Sequence, residues 1–246
     1  MSKLRERIRE AGQRRPRSFG FVRRDEGPPT PRVLVVAEVR DGAGASAAVA
    51  AGAGAILFSG DRGQLATIVE AAKGAPVGVR LDGATRDDTK ALVEAGGDFV
   101  IFDAAQTVAE ALLERSLGRV LLAPSASSDD ELRRYGALDL DAVLVGDPGA
   151  GLSVLGQLEM RRMAESTRAQ LAVLLGASAD TPALEVWRNA GAGMVIVPAS
   201  RDDLEAIVAA AREVPPPPEP GQDERPTAVL AQARPAEHDD DDEDDD

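Results

Sequence analysis

The 246-residue chain contains no cysteine, which excludes disulfides, thiolate nucleophiles and zinc–thiolate centres. Its one histidine, His238, stands in an acidic run near the end, so the body of the protein has neither a histidine base nor a histidine–carboxylate metal triad. Aromatic residues make up only 3%, so the core is built from Ala, Val, Leu and Ile. No apolar run approaches the roughly 18 residues needed to span a bilayer. The opening residues Met1-Ser-Lys-Leu-Arg-Glu-Arg carry charge where a secretory signal needs an apolar stretch, and a cytoplasmic protein is expected.

Charge is present in excess but unevenly. The net charge is −14. Residues 1–26 carry +5, residues 215–246 carry −10, and the segment between them carries −9. A body this acidic repels nucleic acid and anionic membrane. The basic arm and the acidic tail are the segments expected to meet a protein partner.

Period and punctuation divide the body into eight strand–helix pairs. Short, almost continuously apolar runs at 33–38, 55–59, 77–82, 99–103, 119–125, 142–147, 170–176 and 194–198 read as parallel strands buried on both faces. Amphipathic segments follow at 64–73, 86–95, 107–115, 129–135, 154–166, 182–190 and 202–212, with a short alanine-rich helix at 45–51 after the first strand. An internal repeat supports the count: a stop precedes a β-run at Gly52-Ala-Gly-Ala-Ile-Leu-Phe, Gly96-Gly-Asp-Phe-Val-Ile-Phe, Leu138-Asp-Leu-Asp-Ala-Val-Leu-Val and Gly191-Ala-Gly-Met-Val-Ile-Val. Such stops end a helix in the left-handed conformation and turn the chain into the next strand. Four βαβα quarters predict a single (β/α)8 barrel of the α/β class, with a doubly wound open sheet as the alternative.

Three regions follow. Residues 1–31 hold an extra helix over 2–12, with Leu4, Ile8 and Ala11 on one side, and a basic linker; that helix is expected to dock on the barrel. Residues 32–214 form the barrel. Residues 215–246, proline-rich and then acidic, are too poor in apolar residues to fold. Within them only Thr227-Ala-Val-Leu-Ala reads as a docking motif, against the plainer reading of a solubilising tail.

The run Trp187-Arg-Asn-Ala-Gly-Ala-Gly-Met-Val-Ile-Val-Pro-Ala-Ser200 resembles the closing unit of the phosphate-binding (β/α)8 barrels. That group includes indole-glycerol-phosphate synthase, thiamine-phosphate synthase and flavin-linked barrel oxidoreductases. The resemblance implies that turns after strands seven and eight hold a phosphate on backbone N–H groups, which here maps to Gly176, Ser178 and Ser200. Pro198 departs from the pattern by removing one N–H. The three lysines, Lys3, Lys73 and Lys90, all lie in helices or at their ends. Schiff-base chemistry and the lysine acid of the indole-glycerol-phosphate synthases are thereby excluded.

In such a barrel the site lies at the C-terminal ends of the strands. Those ends offer Glu38, Ser59, Arg80, Asp82, Asp103, Ser125, Asp147, Ser178 and Ser200. Alternation in strand three puts Val77, Val79 and Leu81 toward the helices and Gly78, Arg80 and Asp82 toward the barrel. It likewise turns Glu38 and Asp103 inward. An arginine inside a barrel needs counter-charge, so Arg80 is expected to pair with Glu38, Asp82 or Asp103. The cluster can orient an anionic ligand and supply a carboxylate base, hold Mg²⁺, or serve only as a packing network. The glycine-rich turn Asp147-Pro-Gly-Ala-Gly151 reads as a capped βα turn or a phosphate cradle. No motif specifies flavin, Mg²⁺ or another cofactor. Two functions remain: a lyase, isomerase or flavin-dependent enzyme acting on an anionic, possibly phosphorylated small molecule, or a barrel that has lost catalysis and acts as a scaffold.

Overall fold

The computed structural model describes residues 1–12, 31–123, 127–146, 152–176 and 178–216. The basic linker, the tail with His238 and the 227–231 motif, Ser125 and the 147–151 turn lie outside them. Residues Met1–Pro216 fall into one compact unit.

The elements alternate as expected. Helix α1 (Lys3–Gly12) precedes β1 (Leu34–Val39), α2 (Gly42–Ala50), β2 (Ala55–Phe58), α3 (Leu65–Ala71), β3 (Val77–Leu81), α4 (Arg86–Glu94) and β4 (Phe99–Phe102). Then follow β5 (Gly118–Leu122), α5 (Asp129–Tyr135), β6 (Ala142–Val145), α6 (Val154–Thr167), β7 (Gln170–Leu174), α7 (Thr181–Asn189), β8 (Ala192–Pro198) and α8 (Leu204–Glu213). All eight strands are parallel and close in sequence order, β8 pairing back onto β1. The open-sheet alternative is thereby excluded.

The four stops of the repeat sit in the left-handed region: Gly52 at φ 92°, Gly96 at 84°, Asp139 at 52° and Gly191 at 100°. The aspartate takes the same conformation as the glycines, a role its short polar side chain tolerates.

One helix departs from expectation. In place of a helix over 107–115 there is a 3₁₀ turn, Ala109–Leu113. The hydroxyl that could cap a helix there, Thr107 Oγ1, instead accepts the Ala84 N–H at 3.4 Å. The segment therefore lacks a side-chain cap, and Val108 and Leu113 stay exposed.

Strand register sorts the interior into layers of four contributed by alternate strands. From the C-terminal end these are Glu38, Arg80, Leu122 and Leu174; then Leu57, Ile101, Leu144 and Ile196; then Val36, Gly78, Val120 and Ala172; then Ala55, Phe99, Ala142 and Met194. The lower three layers are apolar and buried as one cluster. A Cβ on Gly78 would overlap the Phe99 ring, so the phenyl group fills the space that glycine leaves. Residues of the opposite parity, Val79 and Leu81 among them, belong to the separate cluster between strands and helices.

Helix α1 closes the N-terminal end. Leu4 and Ile8 join the interior cluster. The Asp98 carboxylate accepts the Lys3 and Leu4 N–H groups at 2.8 Å each, capping the helix. Ser2 Oγ donates to Asp141 at 2.8 Å, and Arg5 pairs with the same buried carboxylate. Burial holds the Asp98 carboxyl above its ordinary pKa, although the two N–H donors and Lys3 pull it down. No helix among the described residues is long and apolar enough to cross a membrane.

Candidate functional site

The C-terminal mouth rests on a sealed floor, because Leu57, Ile101, Leu144 and Ile196 are each at most 5% exposed. Above it, Glu38 and Arg80 project from β1 and β3, the inward direction that strand alternation predicts. The premise of a buried arginine needs correction. Arg80 is 50% exposed, and its Nε lies 3.1 Å from Asp82 Oδ1, itself on a side chain 75% exposed. The long stem carries the guanidinium out of the interior into water. Of the three expected partners, Asp82 alone is within ion-pair distance.

Asp103 serves its own loop, accepting the Ala105 N–H at 2.7 Å and the Gln106 amide at 3.5 Å. Among the described residues no group of three or more carboxylates or histidines is placed to hold a metal. Glu38 is half-buried, and its carboxylate has no hydrogen bond or ion pair among the described residues. With Arg40, Asp41, Ser59, Pro198 and Ser200 it lines a cavity of about 410 Å³. Ser59 donates to the Val39 carbonyl at 3.2 Å, and Asp41 caps α2 through the Gly44 N–H at 2.7 Å. Glu38 is thus an uncommitted carboxylate in the cavity, with Ser200 on its rim.

The turns after β7 and β8 contain a feature that residue periodicity does not reveal. Arg201 grips Asp203 with two 2.8 Å bonds and donates a third, at 3.0 Å, to the Gly176 carbonyl. Hydrogen bonds from Arg201 and then Ser178 hold the Asp203 carboxyl far below its usual pKa, and the pairing raises that of Arg201. The Gly176 carbonyl is therefore engaged with an internal ion pair. The sequence signal was the Arg201-Asp-Asp203 run directly after strand eight. Helix α8 begins at Leu204 rather than at 202, and the Asp203 side chain, held by Arg201, provides no cap.

These features define a (β/α)8 barrel protein whose top interior layer, at the C-terminal mouth, carries Glu38 and Arg80 above apolar layers. No protein-family model matches the chain, and no curated protein matches it. Among solved structures it is similar to thiamine phosphate pyrophosphorylase from Pyrococcus furiosus, with a TM-score of 0.56 and 14% identity over 74% of this chain and 94% of that one. It is also similar to KGPDC from Streptococcus mutans, with a TM-score of 0.60 and 7% identity over 74% of this chain and 96% of that one. The likeness is one of fold.

Proposed function

We propose that the barrel is a small-molecule enzyme of the lyase or isomerase kind, acting on an anionic ligand at its C-terminal mouth. Arg80 contacts the anion and Glu38 moves a proton. The observation that carries this reading is the top interior layer, where an uncommitted carboxylate and a half-exposed guanidinium stand on neighbouring alternate strands above a sealed apolar floor. A carboxylate without partners among the described residues can accept a proton from a bound substrate, and a guanidinium whose counter-charge there is solvated remains able to bind an oxyanion. One structural neighbour names a phosphorylated compound, which agrees with an anionic substrate class. Flavin dependence has no support beyond the fold. In the turn after β7 the Gly176 carbonyl is taken up by Arg201, whereas Ser200 lines the cavity beside Glu38.

Native mass spectrometry of the purified protein and its variants, with and without a panel of small organic anions, tests the reading. Wild type and Glu38→Gln should retain the same anion, Arg80→Met should lose it, and Glu38→Gln should fail to turn it over. Equal retention by Arg80→Met would contradict the assignment. The non-catalytic scaffold is the second reading, favoured by the ion pair that occupies the turns after β7 and β8. It predicts that no anion is retained by any of the three proteins.

A further inference from the structure

The top layer is divided by charge. Glu38 and Arg80 occupy β1 and β3, and Leu122 and Leu174 occupy β5 and β7. In a four-membered layer this sets Leu122 across the barrel axis from Glu38, and Leu174 across from Arg80. The layers beneath are apolar all round, as a buried interior requires. The top layer is open to solvent: Leu174 is 36% exposed and Leu122 only half-buried. Two partly exposed leucines on one half of this layer, facing a carboxylate and a guanidinium on the other half, offer one ligand both an apolar and a charged contact.

Resting on the anion reading above, we infer that the ligand is amphipathic. Its oxyanion head, a carboxylate or a phosphate, lies at Arg80, and its apolar body crosses the axis onto Leu122 and Leu174. An inorganic anion would use half of this surface and an uncharged apolar molecule the other half.

Titrations of the full-length protein followed by NMR test this with two pairs of probes: inorganic phosphate against phenyl phosphate, and acetate against benzoate. In at least one pair the phenyl compound should bind about tenfold more tightly, the gain expected from covering some 60 Å² of apolar surface. The pair showing the larger gain identifies the head. Leu174→Asn should abolish the gain, and Leu174→Ala, a milder change, should reduce it. Arg80→Met should weaken all four probes. Equal affinities within both pairs, or a gain that survives Leu174→Asn, would overturn the inference and leave the anion reading standing. Failure of every anion to bind at the mouth would overturn both.

Discussion

Arg80 and Arg201 show how differently two arginines at one end of a barrel are used. Arg80 pairs with a carboxylate largely in water, and exposed pairs of this kind contribute about 0–1 kcal/mol. Arg80→Met should therefore lower the unfolding free energy by no more than about 1 kcal/mol in denaturant titrations. A loss near 3 kcal/mol, typical of a broken buried pair, would show that Arg80 is structural. Arg201 instead joins two turns through a bidentate grip on Asp203 and a carbonyl contact. The folded Asp203 carboxyl lies below its unfolded pKa of about 3.9, so its contribution is complete above that value and is lost as pH falls toward the folded pKa. Asp203→Asn should cost about 1 kcal/mol at pH 7. The gap between wild type and Asp203→Asn should narrow below pH 4. A gap that stays constant down to pH 2.5 would show that the pair does not contribute through its charge.

At the scale of elements, the barrel interior depends on size matching between neighbouring layers and on the helix that closes its base. Gly78→Ala should destabilise by about 1–3 kcal/mol, because the added methyl meets the Phe99 ring. Calorimetry on Gly78→Ala alone and combined with Phe99→Leu checks this, since the smaller side chain should recover part of the loss. Leu4→Ala removes a fully buried side chain from the interior cluster and should cost about 2–5 kcal/mol. A cost below 1 kcal/mol would mean that α1 is not part of the folded barrel. Much of this architecture was legible in the residues. Strands buried on both faces read as continuous apolar runs, and the stops at Gly52, Gly96, Asp139 and Gly191 punctuate them at nearly even spacing. Alternation gave the inward direction of Glu38 and Arg80. It could not give the position of the guanidinium, because direction at Cβ leaves the end of a long side chain free. The Arg201–Asp203 grip was hidden for a related reason: it joins residues two apart in a turn, where no period applies. The 3₁₀ turn after β4 was hidden because the hydroxyl that would cap a helix is taken by a backbone N–H from another loop.

For the whole molecule, the proposed function puts ligand recognition at the end of the barrel where β1 and β3 finish, while stabilising interactions lie at the opposite end and in the turns after β7 and β8. A barrel whose N-terminal end is sealed by α1 offers its polar interior groups in one direction only. The measurement that tests this most directly is a map of backbone amide NMR shifts in the full-length protein on titration with phenyl phosphate and with benzoate. The largest saturable shifts should fall at residues 38–40 and 80–82, with weaker ones at Leu122 and Leu174, and Arg80→Met should remove them. Saturable shifts centred instead on residues 176–178 and 200–203, or on α1 and the base of the barrel, would contradict the proposed function.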